Sequence, residues 1–163
     1  MVILGIDPGY ATIGYGAIET VRGTHKMLTY GAITTKPNVP MERRLFEIFK
    51  DMRTLLDTVK PDAVAIEELF FNTNITTGIQ VAQARGVILL ACAERGTPIY
   101  EYTPLQVKQA VVGYGRAEKR QVMELTKMML NLKQVPKPDD AADALAIALC
   151  HGATAGSLLS GLK

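Results

Sequence analysis

The chain has 163 residues, of which 48% are hydrophobic and 21% charged, and its formal net charge is +2. This composition excludes a disordered or fibrous chain, and the length allows a buried core without disulfide or metal cross-links. The longest apolar run, Val87 to Ala93, is far shorter than the ~18 residues that a membrane-spanning helix needs, and no signal peptide precedes Asp7, so we expect a cytoplasmic protein.

The first third of the chain has the pattern of strands joined by hairpins. Apolar and polar residues alternate, and glycines punctuate the pattern between its strands. The predicted strands are Val2–Asp7, Ala11–Thr20 and Met27–Thr35. Apolar residues then recur at three- and four-residue spacing from Met41 to Val59, which predicts one amphipathic helix.

Strands alternate with helices in the rest of the chain. A continuous apolar run, Ala63–Ile66, predicts a buried parallel strand, and Pro98–Tyr102 predicts another. The predicted helices are Thr76–Arg95, Pro104–Val112, Ala117–Leu132 and Asp140–Cys150. An antiparallel meander followed by parallel strands predicts an α/β protein with a mixed five-stranded sheet flanked by helices. We expect residues 1–151 to form a single domain and residues 152–163 a flexible C-terminal tail.

Carboxylates stand at the ends of two predicted strands. Asp7 closes the first strand, where aspartate is a poor strand former, although Asp-Pro-Gly also favours a turn. Glu67 and Glu68 end the strand Ala63–Ile66, and strand alternation directs one of them to each face of the sheet. At least one of the two glutamates should therefore lie near Asp7, unless this strand end simply reaches solvent.

The last predicted helix opens with three aspartates. Asp139 suits the N-terminal end of a helix, where carboxylates interact with free amides. Asp140 and Asp143 share one helix face, and the alanines around them allow that face to approach a sheet. Ionised acids gathered in one pocket require cations, and oxygen ligands favour Mg²⁺ or Mn²⁺ over zinc. Two such ions would suit phosphodiester hydrolysis.

Several motifs, in order along the chain, resemble the RuvC-type bacterial Holliday junction resolvases. They are Leu4-Gly5-Ile6-Asp7-Pro8-Gly9, Ala65-Ile66-Glu67-Glu68, Gln83-Ala84-Arg85-Gly86, Gln106-Val107-Lys108-Gln109 and Asp140-Ala141-Ala142-Asp143-Ala144-Leu145-Ala146. The resemblance extends from Val2 to about His151. It implies a ribonuclease-H-like fold and a homodimer that cuts four-way junction DNA symmetrically. It also implies Mg²⁺ as cofactor, with two ions per active site and Mn²⁺ as a substitute, and RuvA and RuvB as branch-migration partners.

The resemblance also implies roles for individual residues. Asp7, Glu67, Asp140 and Asp143 become the catalytic and metal-binding acids, while Glu68 and Asp139 become bystanders or helpers. From the residues alone Asp139 could replace Asp140, because it lies four residues before Asp143 and shares nearly the same face.

Basic and aromatic residues supply candidate DNA contacts. The candidates are Phe70, Arg85, Lys108, Arg116 and Lys119. The resemblance gives Lys108 and Lys119 a second role, stabilisation of transition-state charge, and makes Phe70 a ring that stacks on unpaired bases. Without the acids, a solvated charge run would explain the lysines, and a core position would explain the phenylalanine.

Small residues four apart on the second predicted helix indicate a close contact. Gly78, Ala82 and Gly86 form this stripe, which could pack either on the sheet or on a second copy of the helix. The resemblance favours the dimer interface, which would match two active sites to a nearly two-fold junction.

Three other functions are compatible with the sequence. Gly5-Ile6-Asp7-Pro8-Gly9 also resembles the first phosphate loop of sugar kinases and actin-like ATPases, although those proteins are much longer. A junction-binding module without nuclease activity would need only the lysines and aromatic rings. A nuclease of the same fold could instead act on other branched DNA or on structured RNA.

Overall fold

The computed structural model describes residues 1–69 and 75–160, which form one sheet with helices on both faces. The strands are β1 (Val2–Asp7), β2 (Thr12–Val21), β3 (Thr24–Thr34), β4 (Ala63–Glu67) and β5 (Ile99–Tyr102). The helices are α1 (Met41–Val59), α2 (Ile75–Glu94), α3 (Pro104–Val112), α4 (Lys119–Met129) and α5 (Asp139–Ser160).

The strand order is β3-β2-β1-β4-β5. β1 pairs antiparallel with β2, and β2 pairs antiparallel with β3, so these three strands form a meander. β4 pairs parallel with β1, and β5 parallel with β4. The mixed five-stranded sheet predicted from the sequence is confirmed, and the parallel pairing places the ends of β1 and β4 at the same edge.

The two faces of the sheet carry different helices. α3, α4 and α5 cover one face, where Ile3, Ile18 and Leu145 are buried. α1 and α2 cover the other, over a core that includes Leu4, Ile48 and Ile88. Alternate residues of β1 serve the two cores, as the period of a strand requires. No helix in the described part of the chain combines the length and apolar character needed to cross a bilayer.

Glycines bring α5 unusually close to the sheet. A Cβ atom at Gly5 would overlap the carbonyl oxygen of Ala144, and one at Gly14 would overlap the carbonyl oxygen of Asp140. The facing helix positions are also small, with Ala141, Ala144 and Ala148 all fully buried. Because neither surface carries bulky side chains at these points, the start of α5 lies directly against β1 and β2.

The observed boundaries depart from the predicted ones mainly at the C-terminus. Residues 152–160 belong to α5, so the helix does not end at Cys150 as predicted, while the flexibility expected of residues 152–163 stays a prediction. Gly152 lies against the side chains of Thr20 and His25, and His151 is buried. This packing on the β2–β3 hairpin favours continuation of the helix, and it is not visible in the local sequence.

Candidate active site

Asp7 and Glu67 are brought together by the sheet. Each is the last residue of its strand, and the two strands are parallel neighbours with Ile6 opposite Ile66. Both side chains line a cavity of about 270 Å³ at this edge. The sequence-based expectation that a glutamate of β4 lies near Asp7 is therefore confirmed.

The structure distinguishes Glu67 from Glu68 by position. Glu67 lines the cavity, whereas Glu68 is not among its lining residues. The Glu68 backbone N–H donates to the carbonyl oxygen of Tyr102, which continues the parallel pairing of β4 with β5. Burial raises the pKa of Glu67, and the nearby charge of Asp143 raises it further against the opposing effects of Lys119 and Lys108.

The start of α5 completes the acidic group. Asp143 lines the cavity beside Asp7 and Glu67. Asp140 is not among the lining residues, but its backbone lies against Gly14, which pairs with Asp7, and its charge acts on the Asp7 carboxyl. Asp139 points elsewhere, with Oδ1 2.7 Å from Lys137 Nζ, an ion pair that lowers its pKa. This geometry favours Asp140 over Asp139 as a member of the group.

Asp7 has the most perturbed carboxyl of the group. Burial, followed by repulsion from Glu67, Asp143 and Asp140, raises its pKa from 3.8 to about 8, while Lys119 opposes the shift. A carboxylate in this environment is costly to ionise unless positive charge is brought next to it. Strong perturbation of this kind in a cavity is typical of functional sites.

Two lysines supply positive charge to the same cavity. Lys108 of α3 and Lys119, the first residue of α4, both line it. Lys119 Nζ lies 2.8 Å from Asp143 Oδ2, and this hydrogen bond raises the lysine pKa. Lys119, at the start of α4, thus places a cation beside the acids.

The carboxylates of the site are chemically suited to bind a divalent cation, but their side chains do not converge on one point. All the candidate ligands are carboxylate oxygens, the donors that Mg²⁺ and Mn²⁺ prefer. Among residues 1–69 and 75–160, no three His, Cys, Asp or Glu side chains are grouped closely enough to hold a metal ion. The acids repel one another, and Lys119, which is bonded to Asp143, and Lys108 offset only part of their negative charge. A divalent ion would remove the repulsion and allow the acids to converge.

The other predicted DNA contacts lie away from the cavity or outside the described residues. Arg116 is exposed on the segment before α4 and does not line the cavity. The Arg85 side chain is largely buried, with Nη2 2.7 Å from Glu101 Oε2, so it joins α2 to β5. Phe70 lies outside the described residues.

Sequence reasoning missed the apolar wall of the cavity. Four residues that line it carry no charge: Pro104, Val107, Val122 and Ala146. Val122 follows Lys119 by one helical turn, and Ala146 follows Asp143 by the same spacing. This i, i+3 relation could have indicated that each charged residue shares its helix face with an apolar neighbour. This apolar wall is part of the surroundings that bury Asp7 and Glu67, and burial is the largest cause of the raised pKa of both groups.

Comparison with known proteins gives a consistent assignment. The family model described as crossover junction endodeoxyribonuclease RuvC matches residues 3–151. A protein of that name from Clostridioides difficile is 57% identical over 151 residues, covering 93% of this chain and 89% of its own. Its namesake from Alkaliphilus metalliredigens is 58% identical over 151 residues, covering 93% of this chain and 92% of its own.

The fold agrees with the sequence comparison. The structure of T. thermophilus RuvC in complex with a Holliday junction substrate has a TM-score of 0.91 and 39% sequence identity, and covers 96% of each chain. The range matched by the family model, residues 3–151, contains the acidic group and both lysines. The chain belongs to the RuvC family of crossover junction endodeoxyribonucleases.

Proposed function

We propose that this chain resolves Holliday junctions by hydrolysing phosphodiester bonds in two strands of four-way junction DNA. One observation carries the proposal: three acids and two lysines line a single cavity in a chain 39% identical to a RuvC solved with a Holliday junction substrate. The mixed charge of this cavity suits a phosphate accompanied by a cation.

The proposed cofactor is Mg²⁺, with two ions per active site and Mn²⁺ as a substitute. Asp7, Glu67, Asp140 and Asp143 would hold the ions, since they offer oxygen ligands and the pKa of Asp7 is raised by burial and then by the charges of the neighbouring acids. When bound, such ions supply activation of water and stabilisation of charge on the leaving oxygen.

The lysines would bind the substrate phosphate. Lys119 is paired with Asp143 but is more than half exposed, so its ammonium group can turn towards a phosphate once another cation neutralises the acid. Lys108, on the neighbouring helix, would approach the same phosphate from the side of α3. Charge placed there before reaction stabilises the negative charge that develops in the transition state.

The remaining DNA contacts extend the same proposal. Arg116 is exposed near Lys119 in the sequence and would bind backbone phosphate. Phe70 would stack on an unpaired base. Arg85 is held by Glu101, so its contribution to DNA binding would come through the position of α2 rather than by direct contact.

We also propose a homodimer formed through α2. Ala84, Ile88 and Ala91 of this helix face the core, whereas Ile79 is 55% and Leu90 60% exposed. A Cβ at Gly86 would meet no atom within 4 Å, so packing against the sheet does not explain that glycine. A second copy of α2 on this face would give a two-fold enzyme for a nearly two-fold substrate. RuvA and RuvB would act as partners in the cytoplasm.

A cleavage assay tests the function. A synthetic mobile four-way junction is incubated with the wild type, Asp7→Asn and Lys119→Met, each with Mg²⁺ and with chelator; Lys127→Met, a lysine on the same helix paired with Glu124, is the matched control. We expect symmetric nicks from the wild type and the control with Mg²⁺ only. Loss of a metal ligand removes several kcal/mol of transition-state stabilisation, so Asp7→Asn should cut roughly a thousandfold more slowly while still binding the junction.

Other outcomes would change the assignment. Junction binding without cleavage by the wild type would leave a binding module. Faster cleavage of flaps, three-way junctions or structured RNA than of the four-way junction would assign a different substrate to the same chemistry.

A further inference from the structure

Arg44 is a buried arginine without an acidic partner. It lies in the first part of α1 and is 9% exposed. None of the ion pairs among residues 1–69 and 75–160 includes it. A buried charge is retained only when other interactions compensate for its lost hydration.

The side-chain contacts that compensate for the burial of Arg44 connect it to the turn between β1 and β2. Its guanidinium carbon lies 4.8 Å from the centre of the Tyr10 ring. Its Nε–H donates to Thr35 Oγ1 at 2.8 Å, and that hydroxyl donates to the carbonyl oxygen of Tyr10 at 2.7 Å. The Thr35 backbone N–H donates to the carbonyl oxygen of Ala11 at 3.0 Å. The guanidinium thus holds the Tyr10 ring and, through Thr35, its backbone.

This turn follows Asp7 directly. It connects β1 to β2 through residues 8–11, and a Cβ at Gly9 would overlap the carbonyl oxygen of Thr12, so the chain reverses tightly. Asp7 is held at the end of β1, close to three other acids that repel it. A carboxylate in that position tends to move away from its neighbours unless the following residues are fixed.

We propose that Arg44 is a positioning residue for Asp7, acting through Thr35 and Tyr10 to fix the β1–β2 turn. The inference rests on the proposed function, because it assigns to Asp7 a role in cleavage. Arg44 itself touches neither the cavity nor its lining residues among the contacts described, so it acts through the turn. A lysine ammonium can also stack over an aromatic ring, but it lacks the planar guanidinium that stacks on Tyr10 and at the same time directs an Nε–H to Thr35.

Four variants and one control separate the steps. Arg44→Met removes the charge and the donor but keeps an unbranched side chain, and Arg44→Lys keeps only the charge. Thr35→Val removes the hydroxyl and keeps the shape, whereas Thr35→Ser restores the hydroxyl. Arg53→Met is the matched control, because Arg53 also lies on α1 over an aromatic ring, that of Phe49 at 5.6 Å, but is exposed and paired with Glu94.

The first readout is single-turnover cleavage of the junction at saturating enzyme and varied Mg²⁺, with junction affinity measured separately. Since small displacements of a reacting group cost up to roughly a hundredfold in rate, we expect Arg44→Met to cut about ten- to a hundredfold more slowly and to need more Mg²⁺. Thr35→Val should show a smaller loss, and Thr35→Ser and Arg53→Met should match the wild type. Junction affinity should stay within about twofold in every variant, because Arg44 contacts the turn and not the DNA.

The second readout is amide hydrogen exchange at Thr35, whose N–H bonds to the turn. Exchange should be about tenfold faster in Arg44→Met and in Thr35→Val, since loss of one hydrogen bond changes a local opening equilibrium by about that factor. It should be unchanged in Thr35→Ser and Arg53→Met. This measurement needs no cleavage activity.

The outcomes are distinguishable. Wild-type cleavage with unchanged rates in Arg44→Met and Thr35→Val would overturn the inference alone, as would unchanged exchange at Thr35. Loss of junction affinity in parallel with rate would make Arg44 a phosphate contact instead, and would also overturn it. A wild type that does not cleave the junction would overturn the proposed function. In that case, faster amide exchange at Thr35 in Arg44→Met would still support the stabilisation of the β1–β2 turn by Arg44.

Discussion

The helices on the two faces of the sheet lie at different distances from it. α5 makes the closest backbone approach to the sheet, against β1 and β2, and is almost wholly buried where it does so. α1 and α2 pack on the opposite face through larger side chains such as Ile48, Met52 and Ile88, and contact each other extensively. The close approach places charged groups of a helix against the end of a strand, whereas the ordinary packing leaves an apolar stripe exposed on α2. The face covered by α5 therefore contributes charged side chains to the candidate active site, whereas α2 on the other face exposes apolar side chains to which a second molecule could bind.

The largest expected effect comes from blocking the close approach. Gly5→Ala places a Cβ against the backbone of Ala144 and Ala148, neither of which can rotate away. We expect it to lower the free energy of unfolding by about 3 kcal/mol or more, in line with overpacked cores, and to abolish cleavage. Gly86→Ala on α2 is the control, and should raise the stability of one subunit by up to about 1 kcal/mol, because a Cβ at this helix position meets no atom of the same chain. Urea unfolding followed by circular dichroism measures both, and equal effects would remove the distinction between the faces.

The second-largest expected effect concerns the pKa of Asp7, which lies among the acids that the close approach of α5 brings together. Because the pKa of Asp7 is raised from 3.8 to about 8, the folded state keeps a proton that the unfolded chain loses. The stability that this proton provides is complete below about pH 4 and is lost as the pH rises towards 8. Asp7→Asn, which is always neutral, should therefore equal the wild type at low pH and exceed it by a few kcal/mol at pH 8 without metal.

Thermal unfolding of the wild type and Asp7→Asn from pH 4 to pH 8 tests this sign. Mg²⁺ should reduce the difference, since a bound cation stabilises the ionised wild-type acids. A variant less stable than the wild type at pH 8 without metal would contradict a pKa of Asp7 raised by burial and by repulsion from the neighbouring acids.

The smallest effect concerns the exposed stripe of α2. Leu90→Glu places a charge on a side chain that is 60% exposed, so it should leave the free energy of unfolding of one subunit within about 0.5 kcal/mol. It should weaken the proposed dimer by about 2 kcal/mol, which sedimentation equilibrium would detect as a shift towards monomer. Leu28→Glu, on β3 and 44% exposed, serves as the control and should not change the mass. A dimer that withstands Leu90→Glu would remove α2 from the interface.

Local patterns in the sequence determined most of the elements and their order. The spacing of apolar residues from Met41 to Val59 and the alternation from Val2 to Asp7 predicted α1 and β1 with their observed ends, because helix and strand periods are local properties. The Asp140–Asp143 spacing likewise predicted a shared helix face. The end of α5 was not predictable in this way, since its extension to Ser160 accompanies packing of Gly152 on Thr20 and His25, more than a hundred residues away.

Only the tertiary structure decided which of these residues meet. Glu67 lines the cavity and Glu68 does not, because the two side chains lie on different faces of the sheet. The ion pairs of Asp139 with Lys137 and of Arg85 with Glu101 likewise depend on where each side chain lies in the fold. The hold of Arg44 on the turn after Asp7 likewise links α1, the end of β3 and the β1–β2 turn. Residue type and spacing can indicate that a carboxylate or an arginine has a function, but the electrostatic free energy that defines that function depends on distances between segments far apart in the chain.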